Sequence, residues 1–348
     1  MAARERCEKS DIPRSELAAI EDECIREAVA MQERVGIGAI TDGEYRKRSW
    51  KEFLYDRCNG FGPETVEHLF PIRLFDGTEL RVREPKIMRP LGRREPLTAD
   101  DFSSLKKMAK RPAKANLPTP SVVHFFAGDA VFDRAIYPNA KALMNEMARI
   151  MRDEIADLAS RGCTYLQMDE VPLAVICDPA NMDVVRRRGD DPDKLIDLYI
   201  DAINDAIRNR PLEMTICVHL CRGNNGNGMA SGGYEPVAER LFHRLAVDGF
   251  FLEYDTPRAG DFSPLRHLPR PKKAVLGIVS TKDARLEPAD ALKRRIEEAT
   301  KFVDLDRLCL SPQCGFASHP NRVRETMTMD QVERKLARVV EVAAEVWP

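Results

Sequence analysis

From about residue 115 onward, the sequence alternates short, β-rich apolar runs with segments that have the spacing of amphipathic helices. This alternation is typical of a parallel sheet whose strands are joined by crossover helices. A seventh strand is predicted upstream, at IGAITDG, after a helical stripe that runs from Leu17 to Val35. The predicted strands are residues 37–43, 121–128, 164–170, 213–220, 249–255, 272–280 and 307–315.

Seven strands separated by helices predict an α/β fold of the (β/α)8 TIM-barrel type, from which the first strand is missing. A chain of 348 residues, 43% of them hydrophobic, is long enough to bury one such core, so we predict a single domain over residues 1–348. No segment before residue 14 has the pattern of an eighth strand. An open barrel would expose two sheet edges, and a partner chain in a homo-oligomer could supply the missing strand.

Apolar residues that recur at the helical period predict the helices between these strands. The clearest stripes cover residues 143–158, 292–302 and 330–345. Residues 58–118 break the rhythm with strand-like pieces around IRLFDGTELRVRE, where Asp76-Gly77 is a favourable hairpin turn, followed by many prolines and charges. We interpret this segment as an excursion from the barrel.

Charge and hydropathy exclude two classes of partner. The 54 basic and 56 acidic residues nearly cancel, and no basic patch interleaved with aromatic residues is found, so no nucleic acid is expected. No apolar run approaches the roughly 20 residues that cross a bilayer, and the first residues lack the apolar segment of a secretory signal. We expect a cytoplasmic protein without a membrane partner, whose nine cysteines are thiols or metal ligands.

Reactive side chains lie at the carboxyl ends of several predicted strands. In a parallel barrel all of these ends open on one face, where side chains that are distant in sequence can meet. The clustering therefore predicts a functional site on that face. The residues concerned are Asp42, Glu44, Asp169, Glu170, His219, Cys221, Glu253, Asp255 and Cys314.

His219 and Cys221 are two residues apart, so on a strand they share a face at a separation of about 7 Å. A borderline-soft cation such as zinc accepts thiolate, imidazole and carboxylate ligands, which His219, Cys221, Glu253 and Cys314 would supply from three strands. Magnesium and calcium prefer shells of oxygen alone. The spacing by itself does not distinguish a metal site from packed core residues, and Cys217 is the alternative sulfur ligand.

The other cysteines are expected to be small core residues. The glycine-rich turn at 223–233 lacks the Lys-Ser/Thr ending of a phosphate-binding loop, so we interpret it as a flexible active-site loop. The core cysteines are Cys7, Cys24, Cys58, Cys163, Cys177 and Cys309.

Seven segments in order resemble the cobalamin-independent methionine synthase family, specifically its shorter one-barrel branch. This resemblance covers nearly the whole chain, and it ends in a cysteine after the last strand. The segments are ITDGEYRKRSW (40–50), NLPTPS (116–121), YLQMDEVP (165–172), VHLCRGN (218–224), FFLEYDTPRAGDFSPLRHLP (250–269), VLGIVSTK (275–282) and LCLSPQCGF (308–316).

The resemblance implies a zinc ion and a reaction. In the family a His-x-Cys pair, a glutamate and a distant cysteine hold zinc, which here implies His219, Cys221, Glu253 and Cys314. The family transfers a methyl group from a 5-methyltetrahydrofolate polyglutamate to homocysteine and so makes methionine. Coordination to zinc removes the proton of the acceptor thiol and holds the sulfur for attack on the methyl carbon.

By motif position, Glu44 and Asp169 resemble the catalytic-site carboxylates that bind the ammonium group of the amino acid acceptor. For either residue, an ion pair at the barrel mouth is the alternative. Asp42, Glu170 and Asp255 rank below them, and Glu170 is kept as a substrate-binding candidate.

Three features depart from the family pattern. The first strand, with its Gly-Ser turn, is absent, and Thr281 or Lys282 lies where full-length members carry a histidine that is thought to deliver a proton. The tryptophan near the folate is replaced by Phe125 or Phe126, with His124 either a polar substitute or a core histidine. These changes spare the metal ligands and affect the donor side, so zinc-dependent alkyl transfer to a thiol is better supported than methionine synthesis itself.

Three alternatives stay open. The first keeps the zinc-bound thiolate but uses another donor, such as an epoxide that alkylates a different small thiol, as in the related coenzyme M transferases. The second is a non-catalytic zinc-binding or thiol-binding paralogue. The third is a porphyrinogen decarboxylase relative, which needs no metal.

Overall fold

The protein has an α/β architecture, here described from a computed structural model that covers residues 2–73, 78–223, 230–316 and 327–348. The strands in chain order are β1 (Cys58–Glu67), β2 (Ile72–Arg73), β3 (Glu79–Leu80), β4 (Arg83–Arg93), β5 (Ala115–Pro118), β6 (Tyr165–Asp169), β7 (Thr215–Leu220), β8 (Gly249–Glu253), β9 (Lys273–Val279) and β10 (Leu308–Pro312). The α-helices are α1 (Ala2–Glu8), α2 (Arg14–Val35), α3 (Phe53–Arg57), α4 (Ala99–Met108), α5 (Ala140–Ser160), α6 (Pro172–Val175), α7 (Pro179–Arg187), α8 (Pro192–Ile207), α9 (Glu235–Arg244), α10 (Ala289–Thr300) and α11 (Met329–Val346).

The last six strands form one parallel sheet in which each strand pairs with the next one along the chain, from β5 to β10. Five of them, β6 to β10, lie where the sequence predicts strands. In the register of this sheet, Asp169 lies opposite His219, and Glu253 lies opposite Gly277. The carboxyl ends of neighbouring strands therefore lie side by side at one edge of the sheet.

The predicted strand at residues 121–128 is wrong. These residues belong to two short 3-10 helices, Pro120–Val123 and Gly128–Val131, and the turn between them, while β5 lies just upstream. Pro118 ends β5, and Pro120 has no N–H to donate to a neighbouring strand, so the ladder stops there. The apolar run that follows is buried by packing, which its composition alone does not distinguish from a strand.

The predicted strand at residues 37–43 is reduced to one parallel bridge between Ile40 and Ala113. The backbone N–H of Ile40 donates to the carbonyl of Pro112, and that of Lys114 donates to the carbonyl of Ile40, both at 2.8 Å. Ile40 is completely buried. Its single bridge lies next to β5, at the place where the sequence predicts a seventh strand. Within the described ranges, no strand pairs with both this bridge and β10.

The segment predicted as an excursion contains two antiparallel pairs. Strands β1 and β4 pair with two irregularities in register, and β2 pairs with β3 through Ile72 and Leu80. The predicted turn at Asp76-Gly77 lies outside the described residues. Ile87 and Leu91 of β4 belong to the same buried cluster as the central sheet, and β5 lies within the predicted excursion, so the central sheet starts before residue 118.

The predicted helices are present as α2, α5, α10 and α11. Helix α2 ends at Gly36, whose φ of 93° lies in the left-handed region that glycine adopts without strain. Arg34 of α2 forms an ion pair with Glu333 of α11 at 2.8 Å, so these two helices are neighbours. In the part of the chain that the structure describes, no helix has the length and apolar character needed to cross a membrane.

One buried carboxylate connects α5 to the segment that leads into β5. Glu154 of α5 is completely buried and accepts hydrogen bonds from the backbone N–H groups of Leu97, Thr98 and Ala99, at 2.6 to 2.8 Å. It also accepts a hydrogen bond from Arg93 at 2.7 Å. A negative charge at the N-terminus of α4 satisfies N–H groups that the helix itself leaves unpaired.

We expect Glu154→Gln to lower the free energy of unfolding by about 2 to 3 kcal/mol, because the buried N–H groups and Arg93 lose their ionised acceptor. Asp153→Asn is the matched control, since this neighbouring carboxylate is half exposed and pairs with Arg149 on the same helix. It should cost less than about 0.5 kcal/mol. Urea unfolding followed by circular dichroism measures both values, and equal losses would contradict this role for Glu154.

Candidate metal centre

Three side chains from two distant parts of the sequence meet at the carboxyl edge of the sheet. His219 lies in β7, Cys221 follows the end of β7, and Cys314 follows the end of β10. One ligand atom from each lies within 4.8 Å of the other two. The sulfurs of Cys221 and Cys314 are 3.9 Å apart although the residues are separated by 93 positions. The structure thus brings together three of the four predicted metal ligands.

These three side chains shift one another's pKa. The hydrogen bond from the Cys314 thiol and the adjacent His219 imidazole hold the pKa of the Cys221 thiol well below its usual value. The pKa of Cys314 is raised, because it shares its proton with the Cys221 sulfur and is buried. Burial lowers the pKa of His219, but the Cys221 sulfur outweighs it, and the net shift is upward. These contacts favour ionisation of Cys221 over that of Cys314.

The ring nitrogen Nε2 of His219 is buried and has no hydrogen-bond partner within the described residues. A buried polar nitrogen without a partner is costly unless something else binds it. Beside it lie the sulfurs of Cys221 and Cys314, and an imidazole with two sulfurs is a donor set that a borderline-soft cation prefers. The residues that are present therefore fit a zinc ion.

The fourth predicted ligand, Glu253, lies at the end of β8 but is not part of this group. One carboxylate oxygen accepts hydrogen bonds from Arg258 and Lys282, both at 2.7 Å, and the other accepts one from the backbone N–H of Arg222 at 2.5 Å. Burial would raise the pKa of Glu253, but the charges of Lys282, Arg258 and Arg222 lower it to about 2. Glu253 is thus an ionised carboxylate held by cations.

Lys282, one of the two residues that the sequence offered in the region of the family's histidine, forms ion pairs at this edge of the sheet. Its ammonium group contacts both oxygens of Asp255 at 2.9 Å as well as Glu253, whereas Thr281 accepts a hydrogen bond from Gln313 at 2.6 Å. The sequence named this lysine only as one of two residues in the region of the family's histidine, and it gave no sign of the ion pairs with Glu253 and Asp255. Its ion pairs depend on a loop conformation that only the tertiary structure shows.

The loop that carries Lys282 is anchored from α11. Lys335, which is completely buried, contacts both oxygens of Glu287 at 3.0 and 3.1 Å and the carbonyl of Arg285 at 2.5 Å. Glu287 in turn accepts a hydrogen bond from the backbone N–H of Ser280 at 2.8 Å. These buried contacts fix the position of the loop after β9.

The two predicted acceptor-binding carboxylates are linked by a chain of polar contacts. The ammonium group of Lys47 lies 3.2 Å from Glu44 and 3.0 Å from the side-chain oxygen of Asn116, whose amide nitrogen lies 3.5 Å from Asp169. Gln167 donates a hydrogen bond to the other oxygen of Asp169 at 2.7 Å. Burial raises the pKa of Asp169. The sequence did not indicate a role for Lys47 or Asn116, although both lie within segments that carry the family resemblance.

The backbone around Glu44 has an uncommon conformation. Its φ of 57° lies in the left-handed region, which a residue with a long side chain adopts only when its surroundings hold it there. Asp42 stabilises this turn by accepting the N–H of Glu44 at 2.9 Å. The structure therefore gives Asp42 a supporting role and leaves the side chain of Glu44 one-third exposed at the site.

Glu170 points away from the metal cluster into the core. Its completely buried carboxylate accepts hydrogen bonds from Thr119, from Ser121 at 2.5 Å and from the backbone N–H of Leu173 at 2.9 Å. Burial raises its pKa to about 7. These contacts join the turn after β5 to α6, so the observed role of Glu170 is structural, and its contact with substrate stays a prediction.

His124 and Phe126 are also buried, and neither lies on a strand. His124 contacts Tyr199 at 2.8 Å and Asp129 at 3.0 Å through its two ring nitrogens, which favours the core-histidine alternative. Phe126 stacks on His68 at a centroid distance of 4.8 Å, and Lys51 lies over the same ring. Their predicted contact with the methyl donor stays untested.

The remaining sulfur atoms do not join the cluster. Cys217, the alternative ligand, is buried but lies outside the group, and burial raises its pKa to about 12. All nine cysteines are free thiols. Most of the glycine-rich turn lies outside the described residues, which end at 223 and resume at 230.

Known proteins resemble this chain over nearly its whole length. A family model described as "Cobalamin-independent synthase, Catalytic domain" matches residues 1–345. The uncharacterized Bacillus subtilis protein YxjH is 36% identical over 99% of this chain and 90% of its own length. A Listeria monocytogenes structure, described as a putative vitamin-B12 independent methionine synthase, is 32% identical with a TM-score of 0.77, covering 100% of this chain and 93% of that one.

A more distant structure shares the fold. The B12-independent methionine synthase from a Shewanella species, solved in complex with selenomethionine, is 22% identical with a TM-score of 0.74, covering 95% of this chain and 89% of that one. The family match spans nearly the whole sequence, and it includes every residue of the cluster at the carboxyl edge of the sheet. The chain belongs to the family of cobalamin-independent methionine synthase catalytic domains.

Proposed function

We propose that this protein is a zinc-dependent methyltransferase that moves a methyl group from a 5-methyltetrahydrofolate-type donor to the thiol of homocysteine, which gives methionine. The observation that carries the proposal is the convergence of His219, Cys221 and Cys314 within 4.8 Å. Membership of the methionine synthase family supports the reaction class. Two sulfurs and an imidazole select a soft cation, and a soft cation suits a thiol substrate.

His219, Cys221 and Cys314 would hold the zinc ion, which when bound lowers the pKa of a thiol and fixes the position of its sulfur. In the overall reaction the bond between the methyl carbon and the donor nitrogen breaks, and a bond between that carbon and the acceptor sulfur forms. The thiol loses its proton, and the donor nitrogen gains one. Thiolate ligands donate charge to the ion and so leave the bound sulfur nucleophilic.

Glu44 and Asp169 would bind the ammonium group of the acceptor. Both carboxylates lie at the same edge of the sheet, and the charge of Glu44 contributes to the raised pKa of Asp169, so a cation between them would relieve their repulsion. The selenomethionine in the Shewanella relative supports an amino acid ligand, since selenomethionine is the selenium analogue of the proposed product. Lys47 and Asn116 would hold the two carboxylates in position.

A second candidate changes the methyl donor and keeps the zinc-bound thiol. Thr281 or Lys282 would take the place of the histidine of the full-length enzymes, and Phe125 or Phe126, both buried, would take that of the tryptophan, so the differences would affect the donor side. The alternative donor would be an epoxide that alkylates a small thiol. Mass spectrometry of products after incubation with each donor separates the two reactions.

The single domain, the closure of the sheet into a barrel and the cellular location are also proposals. We propose that the chain forms one domain over residues 1–348 and that the sheet closes as a (β/α)8 barrel, with the first strand between Ile40 and β10. The ion pair between α2, which precedes Ile40 in the chain, and α11, which follows β10, supports this arrangement. A partner chain in a homo-oligomer is one source of the strand. The nine free thiols support a reducing, cytoplasmic location.

We expect Cys314→Ser to lower the zinc content and abolish methyl transfer, because the cluster loses one of its two sulfurs. Cys309→Ser is the matched control, since Cys309 lies in β10 outside the cluster. It should leave zinc near one ion per chain. Metal analysis by mass spectrometry and a methionine assay measure both variants. Equal loss of zinc in the two would show that the wrong sulfur has been assigned.

We expect Asp169→Asn to reduce kcat/KM for homocysteine by about 10- to 100-fold, which is the cost of losing one charged hydrogen bond. The rate with 4-mercaptobutanoate, which has no amino group, should change much less. Asp183→Asn removes an exposed carboxylate on α7 and should leave both rates unchanged. If Asp169→Asn lowered the two rates by the same factor, binding of the ammonium group by Asp169 would be refuted.

A further inference from the structure

The buried carboxylate of Asp169 is contacted by two amides. Gln167 donates a hydrogen bond to one of its oxygens at 2.7 Å, and the amide nitrogen of Asn116 lies 3.5 Å from the other. Among the described residues, no lysine or arginine forms an ion pair with Asp169. A buried carboxylate without a direct cation is costly unless something else supplies the charge.

Each of these amides has a lysine at its other end. The side-chain oxygen of Gln167 accepts a hydrogen bond from Lys114 at 2.9 Å, and that of Asn116 accepts one from Lys47 at 3.0 Å. An ammonium group only donates and a carboxylate only accepts, so each amide has one orientation that satisfies both neighbours. The two lysines therefore direct the amide N–H groups toward Asp169, while an amide separates each lysine from the carboxylate.

Strand geometry produces this arrangement. Gln167 and Asp169 are two residues apart on β6, and Lys114 lies two residues before Asn116 of β5, so each pair shares a face. In the register of the two strands, Asn116 lies opposite Gln167. Lys114 is thus placed one layer below the edge that carries Asp169, next to the amide that contacts it.

Lys114 has no carboxylate of its own. In the part of the chain that the structure describes, it forms no ion pair, whereas Lys47 contacts Glu44 at 3.2 Å. Burial lowers the pKa of Lys114, and the negative charge of Asp169 opposes this shift. Direct contact with Asp169 would therefore stabilise the ammonium group of Lys114. The amide of Gln167 lies between the two and prevents it.

We propose that Lys114 and Gln167 are positioning residues that leave Asp169 free to pair with the ammonium group of the acceptor. Gln167 keeps the charge of Lys114 one hydrogen bond away, so the direct counter-charge of Asp169 comes from the ligand. This inference rests on the proposed function, because it takes the amino group of homocysteine as that cation. The pair thereby favours thiols that carry a primary ammonium group over thiols without one.

The first test uses a variant and its suppressor. Gln167→Met removes the amide with little change in side-chain size, so Lys114 can contact Asp169 and compete with the acceptor. We expect KM for homocysteine to rise about 10-fold and kcat to stay close to that of the wild type. Adding Lys114→Met removes the competitor and should return KM toward the wild-type value.

Steady-state kinetics of the full zinc-loaded chain measures these values. Lys141→Met is the control for loss of a lysine, since Lys141 is exposed on α5, and it should leave KM unchanged. A merely structural role for Lys114 and Gln167 predicts losses that add. An unchanged KM in Gln167→Met, or a KM in the double variant that is as high as in Gln167→Met or higher, would therefore overturn the proposal.

The second test needs no variant. In a crystal structure of the wild-type chain with homocysteine, we expect the amino group of the ligand about 2.7 to 2.9 Å from Asp169, with Lys114 still on Gln167. Lys114 in direct contact with Asp169 would refute the inference, and methyl transfer to homocysteine would then leave the proposed function intact. If the wild-type chain transferred no methyl group to homocysteine, the proposed function would fail, and this inference with it.

Discussion

The parallel pairing of six consecutive strands is the constraint on which the site depends. Because each strand pairs with the next one along the chain, all six carboxyl ends lie at the same edge of the sheet. This arrangement brings Cys314, which follows β10, to a distance of 3.9 Å from Cys221, which follows β7. Neither residue could reach the other through local structure. The group formed by His219, Cys221 and Cys314 is therefore a consequence of the sheet topology.

Buried charges then determine how the groups at this edge are arranged. Lys47 and Asn116 connect Glu44 to Asp169 on one side, and the cations around Glu253 form a second network on the other. In the low-dielectric interior such charges are tolerated only when they are paired, so each network restricts the positions of its members. His219 lies in β7 and Cys221 follows it, and β7 pairs with β6, which carries Asp169, and with β8, which carries Glu253. A thiol substrate would thus meet a largely pre-formed site.

The sequence alone predicted the elements whose periodicity is strong and the reactive side chains at the strand ends. Helix α5 and strands β6 to β10 were predicted, and so were His219, Cys221 and Cys314, which the sheet topology brings together. The turn at 121–128 was missed because its apolar residues are buried without pairing as a strand. The partners of Glu253 and Glu170 were missed because they come from other elements, and composition does not encode such tertiary contacts. The same holds for the link between Lys47 and Asn116.

The central claim is that His219, Cys221 and Cys314 hold a zinc ion that receives the sulfur of a thiol substrate. X-ray absorption spectroscopy at the zinc edge tests it most directly, because it counts the sulfur neighbours of the metal. We expect two sulfurs at about 2.3 Å and one imidazole nitrogen in the zinc-loaded chain, and a third sulfur after addition of homocysteine. A shell of oxygen and nitrogen alone, or a sulfur count that homocysteine does not change, would contradict the account.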